Sequence, residues 1–110
     1  MRYQNCDLGV STADADKVAI HFDCGDLRLS FNDWQDQCRT VVFRDVLAFR
    51  WQELDDPVPR DDATFEAIES TWLDHQARLQ SVSPEQFRHY VLCFNGCGAL
   101  DVLASQVSAD

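Results

Sequence analysis

Basic residues are scarce in this chain: one lysine, Lys17, and eight arginines stand against fifteen aspartates and four glutamates, for a formal charge of −10. Such a balance repels phosphate backbones and anionic membrane surfaces, which argues against a nucleic-acid or lipid partner. Long apolar runs are lacking as well. Nothing approaches the roughly 18 residues of a membrane helix, and the opening Met1-Arg2-Tyr3-Gln4-Asn5-Cys6-Asp7 has no apolar stretch of the kind that heads a secretory signal, so a cytoplasmic location is expected. Only four glycines occur. None sits in a phosphate-cradling pattern, and the Gly-x-Ser-x-Gly esterase pattern is also absent.

The cysteines, Cys6, Cys24, Cys38, Cys93 and Cys97, are odd in number, and no Cys-x-x-Cys occurs among them. Reduced and mostly buried thiols are expected, with neither disulfide nor zinc needed for folding. The 110 residues suffice for one domain that buries roughly two thirds of the surface its unfolded chain exposes.

What is present reads as strands, turns and one helix. The strongest signal is Arg88-His89-Tyr90-Val91-Leu92-Cys93-Phe94, then Asn95-Gly96-Cys97-Gly98, then Ala99-Leu100-Asp101-Val102-Leu103-Ala104. Asn-Gly between apolar runs marks a hairpin, because a tight turn needs positive φ, which those residues adopt cheaply. Residues 1 to 16 are polar and are expected to be loosely structured. From Lys17, the alternating Val18, Ile20 and Phe22, the turn Cys24-Gly25-Asp26, and Leu27, Leu29 and Phe31 predict a second hairpin. Whether its loop is Cys24-Gly25 or Gly25-Asp26, both apolar triplets fall on one face, with His21 and Arg28 on the other.

Thr40 to Trp51 has high β-propensity but loses alternation at Arg44-Asp45. One straight strand of that length would span roughly 40 Å, too long for so small a domain, so a bulge or bend is expected there. Asp55-Asp56-Pro57-Val58-Pro59-Arg60-Asp61-Asp62 reads as an exposed acidic loop whose last aspartates cap a helix over 64–79, with Phe65, Ile68, Trp72 and Leu79 as its apolar stripe. Ser83-Pro84-Glu85-Gln86 predicts a single turn before the final hairpin. The expected fold is α+β, a mostly antiparallel β-sheet of five or six strands with one main α-helix packed on one face.

No set of residues carries an obvious chemistry. His89, Cys93 and Cys97 are spaced as metal ligands would be on a helix, but on a hairpin four residues span about 13 Å, so His89 and Cys93 do not share an ion. Cys24 beside His21 is flanked by Asp23 and Asp26, which disfavour a thiolate. The aspartate pairs lack the glycine and closing glutamate of a calcium loop. No catalytic residue, metal or cofactor is therefore assigned. Trp34, set among Asn32, Asp33, Gln35 and Asp36, is the aromatic with the most polar neighbours; it is either a binding anchor or a lid over the core.

Leu47-Ala48-Phe49-Arg50-Trp51, Ser70-Thr71-Trp72-Leu73 and His89-Tyr90-Val91-Leu92-Cys93-Phe94 running into Leu100-Asp101-Val102-Leu103-Ala104 carry a resemblance over residues 17–105. The chain resembles a group of small bacterial domains, some of which are similar to immunity proteins of polymorphic toxin systems. That resemblance implies a non-enzymatic module neutralising a basic protein partner; its motifs are structural and carry no catalytic residue. The expected partner-binding residues are Trp34, Asp55, Asp56, Asp61 and Asp62. Two alternatives stay open: acidity that serves only solubility, and a small-ligand or hydrolytic domain with its pocket between helix and sheet.

Overall fold

The computed structural model describes residues 2–52, 64–94 and 98–109. In chain order the elements are β1 (Arg2–Asn5), β2 (Asp16–Asp23), β3 (Asp26–Asn32), β4 (Cys38–Arg44), β5 (Ala48–Gln52), β6 (Thr64–Ile68), α1 (Thr71–Leu79), a 3₁₀ turn (Pro84–Gln86), β7 (Arg88–Phe94), β8 (Gly98–Ala104) and β9 (Gln106–Ala109). The strands form two antiparallel sheets rather than one: a five-stranded sheet ordered β1-β6-β7-β8-β5 and a four-stranded sheet ordered β2-β3-β4-β9. The mostly antiparallel α+β class holds, and the strand count rises to nine among the described residues.

The hairpin parity is as the alternation predicts. Ile20 pairs with Leu29, Phe22 with Leu27, and His21 with Arg28. Cys24 and Gly25, at φ 51° and 84°, form the two-residue turn. Positive φ at both central residues gives the turn whose twist matches the strands. Leu27, Leu29 and Phe31 are fully buried, but Val18 and Ile20 are half-buried and Phe22 is 47% exposed, because β2 is an edge strand.

The expected bend at Arg44-Asp45 is a change of sheet. β4 ends at Arg44, Asp45 adopts φ 53°, and β5 starts at Ala48 in the opposite sheet. The chain crosses back at Ser105, between β8 and β9, and the two crossings are tied together: Ser105 Oγ donates to Asp45 Oδ2 at 2.9 Å and Ser105 N to the Arg44 carbonyl at 3.2 Å. Between the sheets lies the main core, where Leu27, Leu29, Phe31, Val41 and Phe43 meet Tyr90, Leu92, Phe94, Leu100, Val102 and Ala104. Edge-to-face rings, Phe31 on Phe94 at 5.4 Å, fix its centre.

Three expectations are corrected. Thr64–Ile68 is a strand and not the start of a helix: Phe65 and Ala67 alternate onto one buried face while the backbone joins β1 to β7. The helix is accordingly short, Ser70 caps it in place of Asp61 or Asp62, and Leu79 in its last turn is 66% exposed. The segment 1–16 opens with β1, which pairs with β6 through Tyr3 opposite Ala67. Finally, among the described thiols only Cys93 is buried; Cys6 is half-buried, and Cys24 and Cys38 are exposed in or beside turns. The aspartates Asp55, Asp56, Asp61 and Asp62, and Cys97, lie outside the described residues.

Candidate functional site

Trp34 occupies the tip of the β3–β4 hairpin. The Asp33 carboxylate accepts from the Gln35 and Gln37 amides, both at 2.9 Å, and its carbonyl accepts from the Asp36 amide at 2.9 Å. A short polar side chain that bonds backbone amides two residues on replaces a turn's own hydrogen bonds and stiffens it. Trp34 is 61% exposed on this turn, between two carboxylates. It is not a lid over the core.

The second feature was not assigned from the sequence. On the face of the five-stranded sheet turned away from the other sheet, Ser70 Oγ lies 2.7 Å from His89 Nδ1, and His89 Nε2 lies 2.6 Å from Asp101 Oδ1. All three residues are buried. The carboxylate can only accept, so Nε2–H donates to it; in the neutral ring Nδ1 accepts from the Ser70 hydroxyl, whose oxygen accepts the Leu73 amide at 3.1 Å. Asp101 Oδ2 is held in turn by Gln52 Nε2 at 3.1 Å and Arg50 Nε at 3.4 Å. The Arg50 guanidinium lies 4.2 Å from the centre of the Trp72 ring, and that ring and the His89 imidazole meet in a T-shaped contact with centroids 5.2 Å apart.

The local causes are plain. Glu69 at φ 60° ends β6, which lets Ser70 turn in as the helix cap. His89 and Asp101 sit on outward positions of β7 and β8, one diagonal apart, within reach of long side chains. Gln52 and Arg50 come from β5 on the far side of β8. The constellation thus draws on β5, α1, β7 and β8.

A hollow of about 370 Å³ between α1 and β6–β7 is bordered by Ser70 and His89, with Glu66, Glu69, Asp74 and Glu85 around it. This is the pocket between helix and sheet that a hydrolytic reading requires. Its chemistry is constrained, however, because Ser70 is buried and the His89 side chain has no solvent exposure. A nucleophile must present a free lone pair to the substrate, and its base must reach the leaving group.

Burial raises the pKa of three other groups. The Tyr3 phenol is pushed up first by burial and next by the Asp101 charge, the Tyr90 phenol by burial against the opposing pull of Arg88, and the Cys6 thiol by burial and then by Glu66. All three favour their neutral forms. Among the described residues no three His, Cys, Asp or Glu side chains are grouped to hold a metal ion, and no helix is long and apolar enough to cross a membrane.

Among the described residues the fold is thus a two-sheet antiparallel sandwich with one helix against its outer face. No family model, no curated protein and no solved structure matches the chain.

Proposed function

We propose that the chain is a non-enzymatic protein-interaction module that captures a basic protein, in the manner of the immunity-like domains it resembles. The observation that carries this is Trp34: a large aromatic ring, 61% exposed, held out on a hydrogen-bonded turn between Asp33 and Asp36 in a chain of charge −10. Rigid aromatic anchors at the centre of a contact supply much of its energy, and surrounding charge of one sign steers the oppositely charged partner. The run Asp55, Asp56, Asp61 and Asp62 contributes four of the chain's nineteen acidic residues. The test is capture of basic proteins from the native host by wild type and by Trp34→Ala. Loss of a defined basic protein with the ring supports the proposal; identical capture by both removes Trp34 as the anchor.

A second reading is favoured by one observation, the Ser70–His89–Asp101 chain beside its hollow: acyl transfer, with Ser70 as nucleophile and His89 as base. We rank it below the first because Ser70 is buried and the His89 side chain has no solvent exposure. Treatment with a fluorophosphonate separates the two, since an activated serine becomes covalently phosphonylated and a helix cap does not. The expected result is no adduct on Ser70.

A further inference from the structure

We infer that the hollow between α1 and the β6–β7 pair is a socket for one arginine side chain of the partner, a second contact distinct from the Trp34 hairpin. The inference rests on the proposed interaction with a basic protein and names the side chain that the partner presents.

At about 370 Å³ the hollow is at the small end of ligand sites, and it suits a single side chain rather than a helix or strand. Its lining has two layers. Ile68, Leu73 and Phe87 are half-buried and supply apolar wall, whereas Glu69 after β6, Asp74 on α1 and Glu85 in the 3₁₀ turn are exposed and stand around the opening. A long side chain with an aliphatic stem and a cationic head matches both layers, its methylenes against the walls and its charge drawn in by the rim.

Charge selects the occupant. Glu66, Glu69, Asp74 and Glu85 line the hollow against one cation, Arg88. Glu69 is matched by Arg2 at 3.6 Å, but Asp74 and Glu85 have no ion pair among the described residues. A separate observation comes from Glu66. Its side chain is only 16% exposed, yet among the described residues its carboxylate accepts no hydrogen bond and has one ion pair, to Arg88 at 3.5 Å, whose own side chain is 64% exposed. A carboxylate taken this far out of water needs donors, and Glu66 is short of them. Arginine brings five N–H groups in one plane, so a guanidinium can bond Glu66 and still face a second carboxylate, while the ammonium of lysine is more strongly hydrated and loses more on entering. The N-terminus of α1 sets a positive field against any cation, but its Leu73 amide is met by Ser70 Oγ at 3.1 Å and Asp74 lies in its first turn.

The probe is N-acetyl-arginine methylamide, titrated into the intact protein at fixed ionic strength while backbone amide resonances are followed. The citrulline analogue, neutral and of nearly the same shape, is the control. The inference predicts saturable shifts at residues 66–69, 73–74 and 84–88 with arginine, and binding of citrulline weaker by about tenfold or more. Affinity for arginine should fall severalfold in the double variant Asp74→Asn, Glu85→Gln, whose two sites are exposed, and about tenfold in Glu66→Gln, each shown to be folded by an unchanged circular dichroism spectrum. Equal binding of citrulline, no shift at those residues, or shifts spread evenly over residues 14–23 and 33–37 as well, the mark of diffuse counterion accumulation, overturn it. Absence of arginine binding in a protein that still captures a basic protein through Trp34 overturns the socket and leaves the proposed function intact. Saturable arginine binding in a protein that captures no basic protein keeps the hollow as an arginine site and removes the proposed function.

Discussion

His89 and Asp101 are diagonal neighbours on β7 and β8 whose side chains meet at 2.6 Å with almost no exposure to water. A carboxylate in such a place is stable only because each of its oxygens is used: one by His89, the other by Gln52 and Arg50. Asp101→Ala leaves three donors without an acceptor. It should destabilise the fold by roughly 3 kcal/mol, read from the urea midpoint, with Asp101→Asn less severe. A loss under about 0.5 kcal/mol for the alanine variant would show that the network is not a stabilising lock.

Ser70 joins that network to the helix. Ser70→Ala removes both the cap on the Leu73 amide and the donor to His89 Nδ1, and should lower stability by about 1 to 2 kcal/mol, with faster hydrogen exchange at the first turn of α1. Ser70→Thr, which keeps the hydroxyl, should recover most of the loss. Failure of threonine to rescue would mean that local packing, rather than the hydroxyl, is what the site requires.

Gly98 opens β8 where Trp51 crosses it. A Cβ there would lie 2.6 Å from both the Gln52 carbonyl oxygen and the Trp51 ring, closer than real contacts allow. Gly98→Ala should therefore displace Trp51 and cost about 1 to 3 kcal/mol. Intrinsic fluorescence reports the displaced indole, and an unchanged spectrum together with unchanged stability would contradict the assigned contact.

Alkaline pH should weaken the fold. The raised values of Cys6, Tyr3 and Tyr90 mean that the unfolded chain loses these protons first, near the ordinary 9.0 of the thiol and 10.0 of the phenols. The folded state then holds more protons than the unfolded one, so stability present below pH 9 declines as pH rises through 9 and 10. Urea midpoints at a series of pH values check the sign. Tyr3→Phe together with Tyr90→Phe should flatten the decline above pH 10.

Much of the fold was legible from alternation and turn chemistry. The Cys24-Gly25 hairpin and the pairing of β7 with β8 follow from local sequence. Thr64–Ile68 did not, because Phe65, Ile68 and Trp72 also fit a helical stripe, and what decides is the tertiary offer of two strands, β1 and β7, on either side. The second sheet was hidden for a related reason: strand propensity at Thr40–Trp51 shows a bend but not which sheet each half joins. Of the site, Trp34 was visible as an aromatic among acids. The Ser70–His89–Asp101 chain was not, since its members lie far apart in sequence, although a lone aspartate inside Leu100–Leu103 is itself the mark of a buried, paired carboxylate.

The most direct measurement of the proposed function is association kinetics between the intact protein and any basic protein recovered with it from the native host, at low and high salt, for wild type, Trp34→Ala, and a variant with Asp55, Asp56, Asp61 and Asp62 changed to Asn. The account predicts a wild-type on-rate that falls with salt, a slower and less salt-dependent on-rate for the aspartate variant, and for Trp34→Ala an off-rate raised roughly thirtyfold, about 2 kcal/mol, with unfolding midpoint unchanged. Association indifferent to salt, to the four aspartates and to Trp34 would contradict it and leave the −10 charge as a solubility feature alone.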